Sequence, residues 1–257
     1  PEIVKILWND NSAVSGVGLN TDEGYISFTS TGNKGNALIA AMDADSTILW
    51  SWHIWCTDKP KEHTYVNYED ESFIVLDRNI GATRADRGTG EEWRESVGLH
   101  YQWGRKDPFT SSNLNRSDNT LTIEKSIKYP TYLGPWRWLD ENANGYYMNY
   151  SQLWSDSLKT IYDPCPVGYR VPDGGENGVW SKAKGLSSSY SKSYDSTNAG
   201  MNFSGDFGND ATIWYPASGY ARYTDGALWV VGYYGYYWSA KSTYGLNFYD
   251  NNEVRPS

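Results

Sequence analysis

Three histidines (His53, His63 and His100) and two cysteines (Cys56 and Cys165) are the side chains of this 257-residue chain best suited to metal ligation or nucleophilic attack. Their spacing suits neither. No His-x-x-x-His or Cys-x-x-Cys pair occurs, and two thiols cannot build a thiolate zinc site. Serine is abundant, yet no Gly-x-Ser-x-Gly elbow appears, and no glycine spacing of the phosphate- or dinucleotide-binding kind follows a strand and opens a helix. His53 lies among tryptophans in Trp50-Ser-Trp-His-Ile-Trp55, where a packed, hydrogen-bonded ring is expected. The 31 acids allow many carboxylate pairs, of which Glu91-Glu92 is the clearest and reads as a helix start, where the dipole favours negative charge. Asp173 and Glu176 have the hard oxygens that calcium takes, but no fixed-spacing loop surrounds them. The residues therefore predict a non-enzyme with no metal site and no cofactor.

Ring surface is what the chain has in quantity: 13 Trp and 22 Tyr, in strings such as Ile48-Leu-Trp-Ser-Trp-His-Ile-Trp55 and Gly232-Tyr-Tyr-Gly-Tyr-Tyr-Trp238. Tyr and Trp supply wide contact area for few rotatable bonds, which serves cores and recognition surfaces better than reaction centres. The net charge of -9 argues against nucleic acid or an anionic membrane as partner. No apolar run reaches the roughly 20 residues of a transmembrane helix. The start at Pro1 reads as a processed or trimmed fragment, with any export signal upstream. Cys56 and Cys165 fit one disulfide or two free thiols equally well.

The elements that must position these residues are mostly strands. Ile3 to Trp8, Val14 to Leu19, Tyr25 to Thr29, Asn36 to Met42 and Thr47 to Cys56 are β-favourable runs between turn signals. The last has apolar residues on both faces, which predicts a strand between two layers. Residues 57 to 70 are polar and interrupted by Pro60, hence a connection, and a strand follows at Phe73 to Asp77. Glu91 to Val97 reads as a short helix, Leu99 to Trp103 as extended, and Thr110 to about Tyr150 as a long ordered loop. Asp163 to Pro172 reads as a proline-framed strand, with Asp173 capping a helix near Glu176 to Lys184. Residues 185 to 200 read as loop. Further strands are expected at Ala211 to Pro216, Leu228 to Val231, Tyr236 to Ala240 and Leu246 to Tyr249. The fold class is α+β, with few short helices and an aromatic antiparallel sheet near the C-terminus.

Six strings in order carry a resemblance: Gly35 to Trp55, Leu76-Asp-Arg-Asn-Ile-Gly-Ala-Thr83, Tyr101-Gln-Trp-Gly-Arg-Lys-Asp-Pro-Phe109, Cys165-Pro-Val-Gly-Tyr-Arg-Val-Pro172, Tyr215-Pro-Ala-Ser-Gly-Tyr220 and Gly235-Tyr-Tyr-Trp-Ser-Ala240. Together they resemble the C-terminal region of fimbrillin-like surface proteins of Bacteroides, similar to the Fibrobacter succinogenes major paralogous domain. The resemblance implies a C-type-lectin-like domain over residues 61–257 behind a β-strand-rich segment over residues 1–60. It also implies export to the cell surface as an outer-membrane lipoprotein or pilus component, with adhesion as the role of tip subunits. The pattern departs at its end. Where such proteins continue with a Gly-Phe-Ser-Val-Arg-Cys-like string, this chain ends Val254-Arg-Pro-Ser257, which predicts a missing final strand and leaves Cys165 without its usual partner. Trp8-Asn-Asp10 matches the calcium-site tripeptide of sugar-binding C-type lectins, but at a place in the chain that makes coincidence the expected reading. Formylglycine-generating oxidases share a related fold and need a reactive cysteine pair that is absent here.

Alternation and the family strings together place Leu228, Val231, Tyr237, Trp238, Leu246 and Phe248 in the core, with Trp50, Trp52 and Trp103. Tyr223, Trp229, Tyr233, Tyr234, Tyr244, Tyr249, Asp250, Asn251 and Asn252 then face outward as a ligand platform. The expected function is a non-catalytic adhesin or pilus tip subunit gripping a glycan or a protein, with other pilus subunits as further partners. The alternatives are a structural pilus subunit and a diversified lectin-like binding protein.

Overall fold

The computed structural model describes residues 1–66, 71–110, 115–116, 119–135, 138–139, 152–176, 178–180, 194–202, 213–242 and 245–256. The first five strands are β1 (Ile3–Asn9), β2 (Val14–Asn20), β3 (Tyr25–Ser30), β4 (Gly35–Met42) and β5 (Ile48–Cys56). β1, β4 and β5 form an antiparallel sheet with β4 in the middle, and β2 and β3 form a hairpin beside it. β4 is buried at every position, because its Gly-Asn-Ala-Leu-Ile-Ala-Ala-Met run has side chains small enough for layers to close on both faces. The strand between two layers is thus β4. The expectation that Thr47 to Cys56 held that place fails, since β5 is an outer strand of the sheet and leaves Leu49 and Trp52 exposed.

The β4–β5 register puts Asn36, Leu38 and Ala40 opposite Trp55, His53 and Ser51, so these six share one face. That face is bolted to residues 81–107. Asn36 donates to the Gly81 carbonyl (2.9 Å), Trp55 Nε1 donates to the Ala82 carbonyl (3.0 Å), and Ser51 donates to the Asp107 carboxylate (3.0 Å). Hydrogen bonds therefore cross the boundary expected near residue 60.

The expected connection at 57–70 holds a strand, β6 (Glu62–Val66), paired antiparallel with β7 (Ser72–Leu76). A polar strand is legible only once its partner is known. The short helix expected at Glu91 to Val97 is a 3-10 helix, Gly90–Ser96, closed by a Thr89/Glu92 capping box. Within the expected loop from Thr110 lie β8 (Asn115–Arg116), α1 (Ile123–Lys128) and β9 (Tyr132–Leu133), with α1 capped by the Thr122 hydroxyl.

Residues 163–172 do not form a strand. The Asp163 carboxylate instead accepts from the amides of Cys165 (2.9 Å) and Val171 (2.8 Å), taking the part that ladder bonds would play in a segment rich in proline. Of the helix expected over 176–184, residues 176 and 178–180 form turns and bends, and residues 177 and 181–184 lie outside the described residues.

The C-terminal strands are β10 (Tyr194–Asp195), β11 (Gly200–Asn202), β12 (Trp214–Pro216), β13 (Tyr220–Ala221), β14 (Leu228–Trp229), β15 (Tyr234–Trp238), β16 (Gly245–Tyr249) and β17 (Val254–Pro256). They pair as β10-β11-β12, β13-β14 and β15-β16-β17. A closing strand is present after all. Val254 pairs with Phe248 and Pro256 with Leu246, so the sheet ends on residues expected to leave it open. The described residues are thus mostly strands in small sheets, with few short helices.

Two apolar clusters form the core around them, the first built partly from these strands. One gathers Val179, Trp180, Met201, Ile213, Leu246 and Phe248; the other gathers Trp103, Trp138, Leu153, Trp154 and Val171. Buried indoles need a partner for the N–H, and the second cluster supplies it from its own carbonyls: Trp138 donates to Trp103 (2.9 Å) and Trp154 to Tyr162 (3.0 Å). Both cysteines are free. Cys56 lies against Ala13 and Ser30 near the β2–β3 hairpin, whereas Cys165 packs on the second cluster. Denatured, unreduced protein should accordingly titrate with two thiols per chain, and reductant should leave the thermal midpoint unmoved.

Candidate functional site

β15 shows how the aromatic strings are sorted. Gly235 and Tyr237 face inward: a Cβ on Gly235 would sit 2.2 Å from the Phe248 ring, and Tyr237 stacks on the same ring at 6.1 Å. Since a strand alternates faces, Tyr234, Tyr236 and Trp238 must point out. On β16, Leu246 and Phe248 are fully buried, which turns Asn247 and Tyr249 outward, opposite Tyr236 and Tyr234. On β17, Arg255 stands opposite Asn247. Tyr220 of β13 faces Trp229 of β14 in register.

The outward rings form a connected row. Tyr220 meets Tyr236 at 5.5 Å between centroids, Tyr236 meets Tyr249 at 6.2 Å, and Tyr249 meets Tyr234 at 4.9 Å, each pair close to perpendicular. Edge-to-face pairs of this kind hold one another in place beyond what area burial contributes. Burial, followed by the neighbouring phenols, pushes the Tyr236 hydroxyl up to about 12, so it stays protonated. Two guanidinium groups lie over rings of this face: Arg222 over Trp229 (4.7 Å), held by Asp225, and Arg255 over Tyr249 (5.2 Å), held by Glu253. Gly219 makes the approach possible. Its φ is +60°, and a Cβ there would lie 2.3 Å from the Trp229 carbonyl, so β13 could not come so near with any other residue.

Of the residues expected on the platform, Trp229 (49% exposed), Tyr233 (58%) and Tyr223 lie at the surface, while Tyr234 and Tyr249 are half-buried within the row. Asp250, Asn251 and Asn252 form the exposed turn between β16 and β17. There the Asn251 side chain accepts from the Glu253 amide (3.0 Å) and the Asn252 side chain accepts from the Tyr194 amide (2.7 Å), so both shape backbone. Tyr244 lies outside the described residues.

Tyr220, Tyr236, Trp238, Asn247 and Arg255 belong to the face and were not expected there. Three core expectations fail as well, those for Trp238, Leu228 and Trp52. Trp238 is 43% exposed and Leu228 42%. Reading Tyr237 and Trp238 both as core put adjacent residues on one face, which a pleated strand does not allow; counting by twos from Gly235 would have found Trp238. Trp238 is instead fastened at its rim, its Nε1 donating to the Tyr101 carbonyl (3.0 Å). Trp52 is likewise exposed and Trp50 half-buried, whereas Trp103 is buried as expected.

Other groups altered by burial lie elsewhere, in joints of the fold. His53 contacts the Asn36 side-chain oxygen (3.0 Å) and the Tyr101 hydroxyl (3.4 Å), and desolvation lowers its pKa to about 4. His100 bonds the Ser218 carbonyl (2.8 Å) and is also pulled down by burial. Lys106 reaches the Asp107 carboxylate (2.8 Å) and the Ser51 carbonyl (2.8 Å). The Asn9 side chain of Trp8-Asn-Asp10 bonds the Val14 backbone, and Asp173 pairs with Arg170. Among the described residues no group of three or more His, Cys, Asp or Glu is placed to hold a metal.

No family model, curated protein or solved structure matches the chain. What the outer face can hold follows from its own chemistry: ring faces for apolar contact, and phenol and amide groups that both donate and accept hydrogen bonds.

Proposed function

We propose that this chain is a non-catalytic, exported surface protein of the fimbrillin-like type, an adhesin or pilus tip subunit whose C-type-lectin-like C-terminal domain grips a glycan or protein ligand. The observation that carries the reading is the connected row of aromatic side chains on the outer face of β13–β17, with Trp229, about half exposed, paired opposite Tyr220. Exposed aromatic surface of this extent is uncommon without a partner, and Tyr, Trp and Arg are the side chains that most often dominate binding energy. The six sequence strings support the family and the surface location. No helix among the described residues is long and apolar enough to cross a membrane.

The test is binding to a glycan array and to immobilised host extract. Trp229→Ala and Tyr233→Ala should each weaken binding by about tenfold or more, in line with the 1–2 kcal/mol and above of buried aromatic anchors. Both residues are exposed, so the variants should melt with the parent. Undiminished binding in every such variant moves the site off this face.

A further inference from the structure

The same face limits the class of ligand, a step that rests on its being a binding surface. We infer that its occupant is an uncharged oligosaccharide lying across Trp229, Tyr220, Tyr236 and Tyr249.

Charge is the first ground. The two guanidinium groups over the row are already matched, Arg222 by Asp225 and Arg255 by Glu253 at 2.6 Å, and Asp250 in the adjoining turn adds negative charge. An anionic ligand would meet paired cations on a chain of net charge -9, which is poor complementarity. The second ground is hydrogen-bonding character. An anion needs donors alone and an ammonium needs acceptors alone, but the phenols and the Asn247 amide supply both, as sugar hydroxyls do. A purely apolar side chain laid over the row would cover those groups without satisfying them, at a cost.

Ring orientation is the third. Neighbouring rings stand at 88°, 89° and 77° to one another, and Tyr234 stands at 75° to Tyr236, so the outer face combines ring faces with hydroxyl-bearing edges in several orientations. A chain of sugar rings offers the complementary pair, C–H faces for the rings and hydroxyl rims for the phenols. Because the rings brace each other, little side-chain freedom remains to be lost on binding.

The experiment titrates the protein with an array of neutral oligosaccharides, among them maltohexaose, cellohexaose, chitohexaose and mannohexaose. Sialyllactose, a heparin hexasaccharide and immobilised host protein are run in parallel at 50 mM and 500 mM salt. At least one neutral oligosaccharide should bind with affinity that salt leaves unchanged. Trp229→Ala should weaken it about tenfold or more, and Tyr236→Phe, which keeps the ring and removes the hydroxyl, by a few fold. Binding only to the charged sugars, or only to protein, with loss in the same variants overturns the neutral-sugar inference and leaves the binding face standing. Binding that neither variant alters overturns both, as does a face that takes nothing from the panel.

Discussion

Replacing Arg105 by methionine is expected to destabilise the protein by about 3 kcal/mol or more, although the methionine fills much of the same space. The guanidinium is 2% exposed and donates to four carbonyls: Tyr132 (2.9 Å), Tyr129 (3.2 Å), Pro130 (3.2 Å) and Ser126 (3.4 Å). Three of these lie at the end of α1 and the turn after it, where the last carbonyls of a helix run short of intrahelical partners, although that of Tyr129 also accepts from the Tyr132 amide (3.1 Å). The rings of Phe109 (5.1 Å) and Trp138 (5.2 Å) flank the cation. Burial lowers its pKa to about 10, which leaves it charged at neutral pH.

Burying a charge is costly, and swapping a whole ionic cluster for apolar groups can be neutral or stabilising. That route is closed here, because the methionine removes only the donor and leaves the carbonyls buried. Arg105→Lys should recover part of the loss, since one ammonium cannot reach all four. Urea unfolding measures it; a methionine variant within 1 kcal/mol of the parent would show that other donors, such as water, can take over the site.

The second large effect is loss of stability in weak acid. His53 is held at about 4 against an ordinary 6.5, so between those values the unfolded chain binds a proton that the folded chain refuses. Stability therefore rises with pH in that window: it is fully present above about 6.5, lost progressively as pH falls toward 4, and unaffected by this group below that. The ceiling is about 3 kcal/mol, reduced to the extent that the half-buried ring reaches water. His100, depressed by the same cause, acts in the same direction.

Carboxylates held down by partners, Asp86 and Asp225 among them, begin to lose stability only nearer their own ordinary values, so the two contributions separate along the pH axis. Unfolding free energies at pH 7, 5.5 and 4.5 should fall stepwise in the parent and more gently in His53→Gln. An identical slope in the two proteins would show that His53 is not the group responsible.

Both effects arise at places that local pattern reading reached only halfway. His53 was legible as a packed ring because it sits among tryptophans. Its depressed pKa was not, since that depends on Asn36 and Tyr101 closing over it from 17 and 48 residues away. Arg105 stands in a run that carries the family resemblance, yet nothing local marks it as the donor to the end of α1, a helix hidden in a polar stretch rich in asparagine and serine. Asp163 to Pro172 was misread because Val and Tyr between prolines imitate a strand, whereas one carboxylate holds the segment instead.

The order of residues alone determined the five N-terminal strands, the strand-rich character of the C-terminal region, the acidic surface and the surplus of rings, because these depend on short-range alternation, turn chemistry and composition. Tertiary structure decided which rings face out, why β4 rather than β5 is covered on both sides, and that Val254–Pro256 closes the last sheet. The physical reason is the same in each case. A pleated strand has two chemically similar faces, and the choice between them is made by distant partners: Phe248 fills the space over Gly235, so Tyr234, Tyr236 and Trp238 turn toward solvent.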